Sequence, residues 1–353
     1  MRNIAIGIVL GIIFSIVGYF GKQVIVNFIA SQKTISPLGK LLEKPLDKYS
    51  IMRLSGRTYT GSQIVLDQAT ATTSAYTVYT FHYYTDGPTS PLDNVSGLRG
   101  VNKKVTGVAH IPNDASATNK KPVIVQLRGY IDPANYFPGD GTEHSAQAFA
   151  QNGFISLAPD FLGFGGSDKP ETDVFEERFE TYTTALNLFS SVGTLPMADS
   201  SKIGIWGHSN GGHIALTVLE ILGRPVPASL WAPVSKPFPY SILYYTDEAE
   251  DHGKALRKEL ATFERDYDAE QYSLTNYLNR ITGPIQIHQG TADDAVPVVW
   301  SDLLDKELED IRKNNPNATQ INYFVYPGAD HDMNTAWSTV VARDITFFQK
   351  EFM

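Results

Sequence analysis

Ser209 is the residue whose neighbours best equip it to act as a nucleophile. It stands in Gly207-His208-Ser209-Asn210-Gly211, which fits the pattern G-x-S-x-G. A short apolar run at 203–206 precedes it, and Ile214, Ala215, Val218, Leu219 and Leu222 follow at helical spacing. The predicted local structure is a strand that turns at once into a helix. Such a corner strains the residue at its apex, and a side chain on either flank would collide with neighbouring backbone, hence the glycines. The apex would lift the Ser209 hydroxyl to the carboxyl edge of a sheet, with a helix N-terminus behind it. A hydroxyl so placed can attack an acyl carbon.

A serine hydroxyl is a poor nucleophile until a base takes its proton, and the base needs a third group to orient it. At strand-to-helix elbows of this kind the partners follow in the order acid, then histidine. Four histidines lie downstream: His213, His252, His288 and His331. His213 falls on the elbow helix and reads as a packed or capping residue. His252 lies in a charged stretch, and His288 ends a strand without a mobile loop behind it. His331, in Tyr326-Pro-Gly-Ala-Asp-His-Asp-Met333, follows the last strand on a loop that can hang an imidazole over the elbow. For the acid, Asp293 and Asp294 compete in Gly290-Thr-Ala-Asp-Asp-Ala-Val-Pro297, a loop directly after a strand at the same edge. Asp330 and Asp332 are too close along the chain to orient His331 from behind and read as surface residues.

The elements that must position these side chains alternate along the chain. Short apolar runs at 123–127 and 154–158 read as strands buried on both faces, and further strands are expected at 228–231, 284–288 and 321–326. Helical patterns at 174–190, 299–313 and 335–349 fall between or after them. Strands alternating with helices predict a mostly parallel, doubly wound sheet. Ahead of it, Thr-, Tyr- and Val-rich segments at 57–66, 76–84 and 103–111 predict antiparallel strands. This leader is too short for a β-propeller, which needs at least four blades of ~40 residues. Residues 235–282, rich in Tyr and charge, break the alternation with helical pieces only. They are expected to form an insertion that caps the site, the alternative being a solvated decoration.

From about Lys103 to the C-terminus the chain resembles the α/β-hydrolase superfamily, and within it the prolyl-oligopeptidase-like and dienelactone-hydrolase-like catalytic domains. The resemblance rests on Gly207-His-Ser-Asn-Gly211, Gly290-Thr-Ala-Asp-Asp-Ala-Val-Pro297, Gly328-Ala-Asp-His331 and Ala158-Pro-Asp-Phe-Leu-Gly-Phe-Gly-Gly-Ser167. It implies an α/β-hydrolase fold spanning 50–353, with antiparallel N-terminal strands and a helical cap at 235–282. It assigns the acid to Asp293, three residues before Val-Pro, and leaves Asp294 as a helix-capping or solvent-facing carboxylate. One oxyanion donor is then the backbone N–H of Asn210. The second comes from the loop Leu127-Arg128-Gly129-Tyr130, where Arg128 stands in the usual place of a histidine; the backbone N–H of Tyr130 is the expected donor. Arg128 is expected either to pair with a carboxylate such as Asp160 or to help hold an anionic substrate. The implied activity is that of a serine hydrolase working through a Ser209–Asp293–His331 triad and an acyl-enzyme, with neither cofactor nor metal. A serine peptidase acting on small peptides is the first expectation and a carboxylesterase or acyl-ester hydrolase the alternative. A catalytically silent binding protein on the same fold is the third. Tyr130, Tyr136, Phe137, Phe161, Phe164, Tyr244 and Tyr245 are expected near the site.

Composition narrows the field. The net charge of −9 over 353 residues argues against nucleic acid, and no basic stripe interleaved with aromatics occurs. Cysteine is absent, which removes disulfides, thiolate metal sites and cysteine nucleophiles. At the N-terminus, Arg2 precedes an apolar run at 4–21 closed by Lys22, with a second apolar piece at 24–30. That length is at the lower end of what spans a bilayer and long for a signal-peptide core. Residues 1–30 are therefore expected to anchor the chain in the cell membrane, with 31–49 as a linker and the globular part outside the cytoplasm. Lys22, Lys33 and Lys40 on the far flank pull against that orientation.

Overall fold

The computed structural model describes residues 44–86, 102–246, 249–314 and 320–353. Their strands are β1 (Val65–Thr72), β2 (Tyr76–Asp86), β3 (Asn102–Pro112), β4 (Lys121–Leu127), β5 (Ile155–Pro159), β6 (Ala198–His208), β7 (Ala228–Trp231), β8 (Ile285–Gly290) and β9 (Ile321–Tyr326). The helices are α1 (Ile51–Ser55), α2 (Glu143–Gln151), α3 (Val174–Ser191), α4 (Asn210–Leu222), α5 (Tyr240–Leu243), α6 (Lys254–Asp266), α7 (Val298–Asn314) and α8 (Trp337–Phe352).

All nine strands join one sheet in the order β1-β2-β3-β5-β4-β6-β7-β8-β9. The pairs β1–β2, β2–β3 and β3–β5 are antiparallel, and every pair from β5 through to β9 is parallel. The expected architecture is thus the one found. Strands β5, β7 and β8 are buried along their whole length, as parallel strands covered by helices on both faces must be. Alternation along each strand feeds two cores. Val125 and Ile205 pack with Phe179, Leu186 and Leu216 of α3 and α4. Their neighbours Ile124 and Trp206 face the other way, onto Phe149 of α2 and Phe348 of α8.

Two N-terminal expectations are corrected. The segment 57–66 is not a strand until Val65. Gly61 (φ 68°) lies against the backbone of Ser190 and Ser191, and the amides of Ser62 and Ile64 donate to the hydroxyls of Ser191 and Thr194. These amides are satisfied by the end of α3 rather than by a ladder. The expected linker also ends early, because Leu46 and Tyr49 are buried and the compact unit begins at Pro45. The Tyr49 ring packs on Phe179 and its hydroxyl donates to Glu176. The expected anchor at 1–30 and the rest of the linker to residue 43 lie outside the described residues. Among the described residues no helix is long and apolar enough to cross a membrane.

The insertion contains α5, α6 and three single 3₁₀ turns between Ala269 and Arg280, with no strand among its described residues. It is firmly packed: Leu260, Phe263, Tyr272, Leu274 and Leu278 are buried, and Phe263 meets Phe175, Phe179 and Phe238. A solvated decoration would not bury these rings.

Candidate active site

Strand β6 ends at His208 and α4 begins at Asn210, which leaves Ser209 alone at the turn with φ 55° and ψ −120°. A non-glycine residue at positive φ costs of order 1–3 kcal/mol, and such strain clusters at functional sites. The corner holds because its neighbours lack side chains. A Cβ on Gly211 would lie 1.9 Å from the Leu127 carbonyl oxygen, and one on Gly207 would lie 2.7 Å from that of Gly211. The Ser209 N–H donates to the Trp231 carbonyl at 2.9 Å, and its own carbonyl accepts from Gly212 and Val234.

His331 lies on the loop that leaves β9 through Gly328 (φ 74°). Its Nδ1 stands 3.0 and 2.9 Å from Oδ1 and Oδ2 of Asp293, across 38 residues. The Asp293 side chain is fully buried and that of His331 is 19% exposed, so the ring is braced from behind and open in front. Asp293 is held from three more sides. Its Oδ1 accepts from the N–H groups of Ala295 and Val296, and Oδ2 from Gln289 Nε2. Burial pushes this carboxyl's pKa up, but the bonds from His331 and from the Val296 and Ala295 amides prevail and hold it below the usual carboxylate range. Asp294, the competing acid, is exposed.

His331 leans on the elbow itself. Its ring lies 4.6 Å from that of His208, whose Nε2 donates to the His331 carbonyl oxygen at 3.1 Å. Burial, then the positive charge of a protonated His331, bring the His208 pKa down to about 4. His208 is thus a neutral prop one residue from Ser209. No hydrogen bond joins Ser209 Oγ to His331 among the described residues. Such bonds in ligand-free sites are often long and tighten around substrate.

The loop after β4 comes to the other side of the serine. A Cβ on Gly129 would lie 3.1 Å from Ser209 Cβ, so a side chain there would press on the serine. The N–H groups of Tyr130 and Asn210 donate no hydrogen bond among the described residues, and Asn210 opens α4, where amides carry partial positive charge. Arg128 does not form the expected ion pair with Asp160. It donates to the Asp160 carbonyl oxygen at 3.2 Å and to that of Gly129 at 2.9 Å. The Asp160 carboxylate is taken by the hydroxyls of Tyr136 and Thr106, each at 2.5 Å. The guanidinium instead lies on the rings of Phe164 (4.1 Å) and Tyr136 (4.7 Å).

Beside the elbow opens a cavity of about 430 Å³, lined by Gly129, Tyr130 and Asn210 and by Ile242 and Leu256 of the insertion, among others. Of the aromatics expected nearby, Tyr130, Phe161 and Phe164 line it. Phe137 lines a different cavity, and Tyr244 and Tyr245 pack on Trp300. His252 is exposed, and the other two downstream histidines are structural. His213 is wholly buried between Tyr182 and the Val234 carbonyl, and His288 sits between Asp344 and Tyr326. Sequence reasoning missed His208 and Gln289. His208 is the free position of the G-x-S-x-G pattern, which signals nothing about its side chain. Gln289, four residues before the acid and held by Ser301 at 2.7 Å, is a recognisable support only once the acid is known.

This sheet, with its strained serine elbow and two ordered loops at the same edge, defines an α/β-hydrolase, and the protein is a serine hydrolase. The prolyl oligopeptidase family model matches residues 141–353, and the chain belongs to that family. Among curated relatives, an uncharacterized peptidase, YtmA, of Bacillus subtilis is 26% identical over 168 residues, covering 47% of this chain. The match spans 62% of that relative's length. S-formylglutathione hydrolase of Arabidopsis thaliana is 25% identical over 246 residues, 63% of this chain and 80% of that one. Of solved structures, an acetyl xylan esterase from Paenibacillus sp. R4 superposes with TM-score 0.58 at 16% identity, over 87% of this chain and 96% of that one. A puromycin-hydrolyzing peptidase of Mycobacterium tuberculosis superposes with TM-score 0.56 at 19% identity, over 80% and 41%. At these identities the superpositions speak for the fold alone.

Proposed function

We propose that Ser209, His331 and Asp293 form a catalytic triad and that the protein is a serine peptidase acting on small peptides. The observation that carries the triad is the buried Asp293 carboxylate on His331 Nδ1, with the imidazole braced on His208 beside the strained serine. In this reading His331 Nε2 takes the Ser209 proton as Oγ attacks the scissile carbonyl carbon. Asp293 keeps the other imidazole proton on Nδ1 and stabilises the imidazolium. The tetrahedral oxyanion accepts from the N–H groups of Asn210 and Tyr130. His331 then gives its proton to the leaving amine as the carbon–nitrogen bond breaks. Water attacks the acyl-enzyme by the same route and frees Ser209.

Membership of the prolyl oligopeptidase family supports the peptide reading. Hydrolysis of esters or thioesters is the second reading, favoured by the relative that is an S-formylglutathione hydrolase, since the same triad serves both. The apolar run at 4–21 behind Arg2 supports a further part of the proposal, a membrane anchor holding the hydrolase outside the cytoplasm. A fluorophosphonate probe tests the nucleophile. The expected result is a single adduct at Ser209, absent in Ser209→Ala, with peptide anilide turnover falling by about 10⁶-fold. Labelling that persists in Ser209→Ala would refute the assignment.

A further inference from the structure

The cavity beside the elbow carries charge that acyl transfer does not use. Two guanidinium groups line it, Arg128 from the loop after β4 and Arg178 from α3. Among the described residues neither has a carboxylate oxygen within 4.0 Å, and the Nε of each makes no hydrogen bond. Arg128 is only 6% exposed; it contacts two carbonyl oxygens and the rings of Tyr136, Phe161 and Phe164, all uncharged, while the Asp160 and Asp140 carboxylates act on it from beyond ion-pair distance. Arg178 is half-buried beside Tyr182 and His213. Burial, and then the Arg178 charge, bring the His213 pKa down to about 3, so that imidazole stays neutral and adds no counter-charge.

The acids that line the cavity, Glu177 and Glu180, form no ion pair with either guanidinium among the described residues. Glu180 is occupied by Lys103 at 2.6 Å and by the Glu171 N–H at 2.8 Å. Glu177 is exposed to solvent. The remaining walls are largely apolar, including Phe161, Phe164 and Phe175. Burying a charge is costly unless it is paired. A guanidinium fork in low-dielectric surroundings is also the side chain best suited to bind a carboxylate bidentately. Gly129, Tyr130 and Asn210, which flank Ser209, line this cavity, so a group attached to a carbonyl at Ser209 is next to it.

We infer that this cavity is a specificity subsite for an anionic group, in which Arg178, with Arg128 behind it, receives a carboxylate carried by the substrate. The inference rests on Ser209 being the reacting centre. The shared chemistry is a carboxylate a few bonds from the scissile carbonyl, carried by an acidic peptide side chain or by the half-ester of a diacid. The full-length chain is assayed on matched pairs: mono-p-nitrophenyl glutarate against p-nitrophenyl valerate, and peptide p-nitroanilides ending in Glu against Gln. The pair with the larger acid preference identifies the source. In at least one pair the acidic member is expected to have the higher kcat/KM, and Arg178→Gln should lower that acid-to-neutral ratio by about 10-fold to 100-fold, the worth of a charge-assisted bond. Arg178→Lys, which keeps the charge without the fork, should fall between. A merely structural role would lower both members together and leave the ratio alone. Wild-type ratios at or below one in both pairs, or a ratio unmoved by Arg178→Gln, overturn the inference. Calorimetric titration of the wild-type chain with glutarate against valerate needs neither variant nor turnover, and equal affinities also overturn it. Tighter glutarate binding without Ser209 labelling would keep the subsite and remove the hydrolase reading.

Discussion

Asp293→Asn exchanges one oxygen for an amide nitrogen, and the structure dictates which. Asp293 Oδ1 accepts from Ala295 N–H at 2.9 Å and Val296 N–H at 2.8 Å, so that atom must remain the carbonyl oxygen. The nitrogen then falls at the place of Oδ2, 2.9 Å from both Gln289 Nε2 and His331 Nδ1. Gln289 cannot turn round to accept, because its Nε2 also donates to the carbonyl oxygens of Gly290 at 3.3 Å and Val296 at 3.2 Å, which Oε1 could not serve. An amide donor facing Nδ1 moves the imidazole proton to Nε2 and removes the lone pair that must receive the serine proton. The wrong tautomer in this geometry lowers kcat about 10⁴-fold, about 5 kcal/mol of transition-state stabilisation. The clash of donors at Gln289 destabilises the fold by only ~1–3 kcal/mol. Release of p-nitrophenol from an activated ester reads the first effect, and a urea titration the second. Asp294→Asn, at an exposed carboxylate, is expected to stay within about twofold of the wild type in the same ester assay. An Asp293→Asn enzyme within about tenfold of the wild type, or a larger loss in Asp294→Asn, would refute the reasoning.

Three further outcomes are expected. In Gly211→Ala the new Cβ would lie 1.9 Å from the Leu127 carbonyl oxygen and 2.6 Å from that of Arg128. A loss of ~3 kcal/mol or more is expected, and a thermal midpoint within about 2 °C of the wild type would contradict it. Burial holds the pKa values of His110, His208 and His213 at about 4, about 4 and about 3, against ~6.5 in the unfolded chain. The unfolded chain therefore binds these protons first, so stability is full above pH ~6.5 and falls as pH drops toward ~4, by about 2 kcal/mol for each residue at pH 5. Asp293, with its lowered pKa, contributes nothing in that window, because its stabilisation is lost only below pH ~3.9. Equal urea midpoints at pH 7 and pH 5 would refute this account. Finally, the full chain should resist carbonate extraction from membranes and be released when residues 1–30 are deleted; extraction of the intact chain would count against an anchor.

The elbow was legible in the sequence because its demands are steric and local. Strand, two glycines and helix lie within twenty residues, and no other residue type fits against the Leu127 carbonyl. The parallel strands were legible for a similar reason, since burial on both faces leaves short, mainly apolar runs free of charge, such as β5 and β7. Segment 57–66 misled because Thr, Tyr and Val there resemble a strand, while its amides are met by Ser191 and Thr194, some 130 residues on. Tyr49 was read as part of a linker because nothing near it in the chain shows that Phe179 will cover it.

What the sequence by itself determined is the class, a serine hydrolase: a serine elbow, an aspartate loop and a histidine loop in fixed order, each written in a few adjacent residues. What only the tertiary structure decided is which of two neighbouring aspartates turns inward, that His208 props the imidazole, and that two arginines share a cavity with no ion pair to either among the described residues. Those outcomes depend on burial and on distances between segments far apart in the chain. They are set by how the helices pack across the sheet, which no local pattern encodes.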